Sequence, residues 1–120
     1  MINVLVIIQR VADGSGNAGD GDYEVTCNPP DISVTRTNTL INYQLLSPTP
    51  AEIVLTGFTT SKPIPIPQLS QPPSISLDGT LMTLCDANTV AEEIHITLGF
   101  QDNLHERKLS FDPQVTNVPE

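Results

Sequence analysis

An all-β fold, an immunoglobulin-like antiparallel β-sandwich, is what this sequence predicts, and three observations predict it. Eleven prolines and many Ser and Thr residues weigh against helix. Apolar residues recur at every second position in short runs. Turn-forming residues separate those runs at intervals of roughly ten residues. The 120 residues suffice for one domain with a core, and no internal repeat suggests a second. Hydrophobic content is 38%, aromatics are 4% and Trp is absent, so the core is expected to be Val, Ile and Leu.

The elements follow in order. Residues 2–10 are a β-branched first strand. An acidic, glycine-rich hairpin loop occupies 13–22. Residues 23–27 alternate as the second strand, and Asn28-Pro29-Pro30-Asp31 ends it. Strands are predicted over 32–36, 40–46 and 53–59. Residues 61–73 hold five prolines; their 62–67 stretch alternates Pro with apolar residues and reads as an extended loop, with a polyproline ligand as the alternative. Asp78-Gly79 is read as a two-residue turn between 75–77 and 81–85. The last hairpin joins 93–100 to 107–111.

Charge and motifs exclude several function classes. The net charge of −9 excludes nucleic acid as a default partner and disfavours an anionic membrane surface. No run approaches the ~18 apolar residues of a membrane span. Val4-Leu5-Val6-Ile7-Ile8 lacks the basic flank and cleavage site of a signal peptide, so a cytoplasmic location is expected. Asp13, Ser15, Asn17, Gly19, Gly21 and Glu24 match the spacing of a calcium loop, but Ala18 stands where the template needs Gly and the flanks read as strands. A hairpin loop is the expectation there, with no metal and no cofactor. Cys27 and Cys85 are expected to be free, because the Trp and Tyr that accompany an inter-sheet disulfide are missing.

Asp112-Pro113 is the one bond with unusual chemistry. Proline makes it a tertiary amide without an N–H. The Asp112 carboxyl can close a five-membered ring on its own backbone carbonyl, and the proline nitrogen leaves well once protonated. Held in place, such an intramolecular attack gains about 7–11 kcal/mol. Most Asp-Pro pairs do no chemistry and mark turns or breaks, because Pro extends the residue before it. If Phe100 pairs with Arg107, Asp112 falls opposite His95, with Glu93 and Thr97 on the same face. His95 is then a candidate general acid, and Asp86 or Glu93 a candidate holder of an attacking water.

The tail Asp112-Pro113-x-x-x-Asn117-x-Pro119-Glu120 resembles that of the small bacterial DP-EP family, as does the polar turn Asp86-Ala87-Asn88-Thr89 before the last hairpin. So do the two opening strands followed by a Pro-terminated segment and Ile32-Ser33-Val34. The resemblance implies an immunoglobulin-like sandwich that cuts itself after Asp112 and keeps 113–120 as a bound strand. It also implies that the strand could pass between copies and assemble them. In the family the Asp can instead join a lysine on the next strand. Here the residues expected opposite Asp112 are Ile94, His95 and Ile96, so hydrolysis is the expectation. The competing class is a non-enzymatic interaction domain whose edge and tail strand bind a partner.

Overall fold

A computed structural model describes residues 1–12, 14–60 and 68–119. The proline alternation at 62–67 and Asp13 of the calcium template lie outside the described residues. Ten strands are found: β1 (Ile2–Arg10), β2 (Tyr23–Asn28), β3 (Asp31–Val34), β4 (Thr39–Leu45), β5 (Ile53–Thr60), β6 (Ser74–Ile75), β7 (Leu81–Asp86), β8 (Glu92–Asp102), β9 (Arg107–Phe111) and β10 (Gln114–Asn117). No helix occurs among the described residues, and so none is long and apolar enough to cross a membrane. The strands form two sheets, ordered β2-β1-β4-β7-β6 and β3-β10-β8-β5, with β9 also on β8.

The expected sandwich is therefore present, with one addition. Each sheet carries a parallel pair, β1 with β4 and β10 with β3. Alternation puts Val4, Val6, Ile8, Ile41, Met82 and Leu84 of the first sheet inward. They meet Ile53, Leu55, Ile94, Ile96, Leu98 and Val115 of the second. Aromatics contribute more than their number suggests: Tyr23, Tyr43 and Phe100 are among the largest fully buried side chains.

Three local readings change. The turn after β6 is four residues long, because Ser76 N–H donates to the Leu81 carbonyl (2.9 Å) outside it and the Asp78 carboxylate gathers Ser76 Oγ, Thr80 N and Thr80 Oγ1 inside it. β3 ends at Val34 rather than at residue 36. There the Asn88 carboxamide donates to the Val34 and Arg36 carbonyls at 3.0 and 3.2 Å, and the Val34 carbonyl also accepts from Val118 N at 2.8 Å. The last hairpin is tighter than expected. Asp102, not Phe100, pairs with Arg107, which leaves four residues in the turn. Cys27 and Cys85 are free thiols, and burial pushes the Cys27 thiol up to about 11.

Asp102 explains the tight hairpin. It is the last residue of β8, fully buried, and it faces Arg10 of β1 and Tyr23 of β2. Arg10 grips both carboxylate oxygens (Nη2 to Oδ1 3.0 Å, Nε to Oδ2 3.1 Å), and Tyr23 Oη donates to Oδ2 at 2.6 Å. The Leu104 and His105 backbone N–H groups close on Oδ1 at 3.1 and 3.4 Å and fold the turn around it. Burial alone would favour the neutral acid, but the Arg10 and Tyr23 hydrogen bonds outweigh it and hold the carboxyl well below the usual carboxylate range.

Two outcomes follow from this hub. Asp102→Ala leaves the Arg10 guanidinium and Tyr23 hydroxyl without their acceptor and should cost roughly 3–5 kcal/mol in denaturant unfolding. Because the folded carboxyl ionises more readily than the unfolded one, its contribution is complete above the unfolded value and is lost on acidification. Wild-type stability should therefore fall as the pH drops below about 4, and Asp102→Asn should flatten that fall. A wild-type curve that stays level there would separate the hub from acid sensitivity.

Candidate processing site

β8 carries the whole C-terminal segment along one edge. Leu98 pairs with Phe111 and Asp102 with Arg107 on β9; His95 pairs with Gln114 and Glu92 with Asn117 on β10. Every partner pair in both ladders adds to 209, so β9 and β10 are one strand in one register. Asp112 and Pro113 are the two residues that drop out of it. Pro113 has no N–H to give, which interrupts the ladder. Its carbonyl still accepts from Ile96 N at 3.3 Å, which keeps the register across the gap.

Alternation along this strand sorts the neighbours. Pro113, Val115 and Asn117 are buried, whereas Asp112 is exposed on the outer face. Continuing the register sets Asp112 opposite Thr97, not opposite His95 as expected from the sequence. The correction comes from the tight turn at Asp102, which shifts the hairpin by two residues. A two-residue shift preserves faces. His95 and Glu93 are accordingly exposed on the same outer face as Asp112. His95 is the diagonal neighbour, at roughly 7–8 Å between backbones. Glu93 lies opposite Thr116, further along the strand.

Asp86 lies elsewhere. It ends β7 in the other sheet and points into the core, where Asn117 Nδ2 donates to its Oδ1 at 2.9 Å. Burial pushes its carboxyl up, against the hydrogen bonds from Asn117 and the Asn88 backbone. Asp86 and Asp112 are thus on opposite sides of the second sheet, and the fold does not bring them together.

One residue beside the bond escapes a reading of the sequence. The Asp31 carboxylate accepts from the Gln114 N–H at 3.2 Å, gripping the first amide after Pro113. Asp31 reaches it through the parallel β3–β10 pairing, across 83 positions of chain, and no local pattern signals that.

The glycine-rich loop flanks the same place. Arg107 of β9 donates to Asp22 (2.8 Å) and to the Gly19 carbonyl (2.8 Å) and lies 5.7 Å over the Tyr23 ring. Gly19 has φ +58, and a Cβ there would come within 2.7 Å of both Leu109 and Tyr23, so the loop can lie this close to β9 only with glycine at that position. Between loop residues 16–21 on one side and β9 with Asp112 on the other lies an open groove of about 700 Å³. Of the calcium template's described members, Asn17 is turned to the backbone of β2. Its carboxamide bonds Val25 N and O at 2.7 and 2.9 Å, and Asp22 serves Arg107. Among the described residues no three His, Cys, Asp or Glu side chains are grouped to hold a metal.

The site thus sets an exposed carboxyl beside a tertiary amide, in a strand held on both sides of that amide. No curated protein matches the sequence. A family model does, over residues 3–119, nearly the whole length and a span that includes Asp112 and Pro113: the chain belongs to the DP-EP family.

Proposed function

We propose that the protein cuts itself at Asp112-Pro113 and keeps 113–120 as a non-covalent strand. One observation carries the reading. β9 and β10 share a register on β8, and the Asp-Pro pair is the only interruption. A bond placed there can break without either side losing its place. The peptide remains clamped between β3 and β8, with Val115 in the core and Asp31 on the Gln114 amide.

The chemistry balances without a cofactor. A carboxylate oxygen of Asp112 attacks the Asp112 carbonyl carbon and closes a five-membered ring. The bond to Pro113 nitrogen breaks, and that nitrogen takes a proton from the His95 imidazolium on the same face. One water then opens the cyclic anhydride to the two carboxyl groups of a C-terminal Asp112, its protons passing to His95 and to solvent. The exposure of Asp112 and the open groove beside it give that water a route. The strand slot binds through main-chain hydrogen bonds, so the tail of a second copy fits it equally, which supports self-assembly as a use for the cut peptide.

The intact mass of denatured protein tests this. Wild type should yield a species ending at Asp112 and the peptide 113–120, and Asp112→Ala should yield full-length chain alone. A single full-length mass after long incubation from acid to neutral pH would overturn the reading. With cleavage established, His95→Gln should slow it by about 10²-fold, the low end for loss of a general acid, while Glu93→Gln should leave the rate unchanged. Equal effects of the two would remove His95 from the role.

A further inference from the structure

Where the two sheets meet at the tail end, four amide or carboxyl side chains are buried together: Gln68, Asp86, Asn88 and Asn117. Asp86 comes from the first sheet and Asn117 from the tail strand in the second. The Asn117 carboxamide uses both hydrogens, donating to Asp86 Oδ1 at 2.9 Å and to Gln68 Oε1 at 3.3 Å. Asp86 Oδ1 also accepts from Asn88 N at 3.0 Å. Gln68 Oε1 is held in turn by the Thr89 and Val90 N–H groups at 2.8 and 3.3 Å.

The donors and acceptors then fail to match. Asp86 Oδ2 and Asn117 Oδ1 are both buried without a partner, and so is Asn88 Oδ1. As an ionised carboxylate Asp86 only accepts, and the amide oxygen of Asn117 only accepts. Leaving such atoms buried and unpaired is unfavourable, because each has given up its water without gaining a donor. Asp102 avoids this with the Arg10 guanidinium. Among the described residues Asp86 has no cation beside it. Its β4 partner is Thr39, and the loop before β6 brings Gln68 and Leu69. β3 brings Val34, and Arg36 beyond it is exposed. From β8 the ionisable group on that side is Glu92, opposite Asn117, a like charge.

We propose that Asp86 carries a proton in the folded protein and pairs, as a carboxylic acid, with the carboxamide of Asn117, so that this pair reads the tail strand and makes its retention pH-dependent. One proton on Oδ2 supplies the donor that Asn117 Oδ1 lacks and closes a two-bond acid–amide pair with the existing Nδ2 to Oδ1 bond. Burial drives the carboxyl in the same direction. A group that holds its proton more tightly when folded contributes fully at low pH and loses its contribution as the pH rises through its raised value. The strand is therefore held most firmly in acid and loosens towards neutral pH, opposite in sign to the effect of Asp102. Retention of a cut peptide by this pair rests on the self-cleavage reading; the pair itself does not.

The test uses the full chain carrying Asp112→Ala, so its outcome is independent of cleavage. Hydrogen exchange is followed at the amides of 114–117, corrected for intrinsic rate, as pH rises from 4 to 8. Protection should fall, by up to about tenfold per pH unit above the value at which Asp86 ionises. Asp86→Asn presents the same donor and acceptor as the protonated acid, so it should keep the strand protected at every pH and remove a carboxylic-acid infrared band. Asn117→Asp should weaken protection more than tenfold at neutral pH. Protection that ignores pH in the parent, or that Asp86→Asn lowers at every pH, would overturn the proposal. So would parent protection that depends on added sodium or calcium and loses that dependence in Asp86→Asn, which would put a cation where the proton is assigned.

Discussion

The missing N–H of Pro113 is the constraint on which the C-terminal half depends. β8 offers one long edge to the end of the chain, and a strand without proline would zip along it unbroken. Pro113 removes one donor from that ladder, yet its carbonyl still accepts from Ile96, so the interruption is chemical rather than geometric. The strand resumes in the same register at Gln114. A break that preserves register leaves Asp112 outside the hydrogen-bond pattern while its neighbours on both sides are fixed. The burial pattern then does the sorting, turning the Asp112 side chain out and the Pro113 ring in.

Two buried carboxyl groups secure this edge from its ends, and they do so by opposite electrostatics. Asp102 sets where β9 begins, because the hairpin folds around its carboxylate, and Arg10 with Tyr23 keeps it ionised. Asp86 meets Asn117 where β10 ends, among amides and, among the described residues, with no cation in reach. Neither exposes any surface to solvent. The difference is the partner: a guanidinium makes a buried charge tolerable, and a carboxamide makes a neutral acid the better fit. Loop residues 16–21 add a third restraint, since Arg107 ties β9 to Asp22 and Gly19.

Much of this was legible in the chain. Period-two alternation located β1 to β9 within one or two residues, because burying one face of a sheet is a local rule that each strand obeys independently, whereas β10 was expected only from the family resemblance. Ser76 and Asp78 did not announce a four-residue turn, since Asp-Gly serves two-residue turns equally well. The register of the last hairpin was missed for a different reason. It depends on Asp102 meeting Arg10 and Tyr23, which lie 92 and 79 positions away, and no window on the hairpin contains them. Asp31 was invisible as a site residue for the same cause, and Asn117, though part of the tail motif, gave no sign of its partner Asp86. Each acts through a pairing between elements far apart in sequence.

The error in register is instructive because it was even. A slip of one would have turned His95 into the core and removed it from Asp112's side of the sheet. A slip of two moved it one pair along and left it on the face. Face is set by the burial of Ile94, Ile96 and Leu98, which the sequence pattern dictates strongly; partner identity is set by the turn, which a distant salt bridge dictates. The chemistry assigned to His95 needs the first and tolerates a change in the second, since an imidazole spans much of a diagonal cross-strand gap. Asp86 fails on the first criterion. It belongs to the inner face, so no shift of register carries it to the Asp-Pro bond, and its part in the site is to hold the strand that the cut would free.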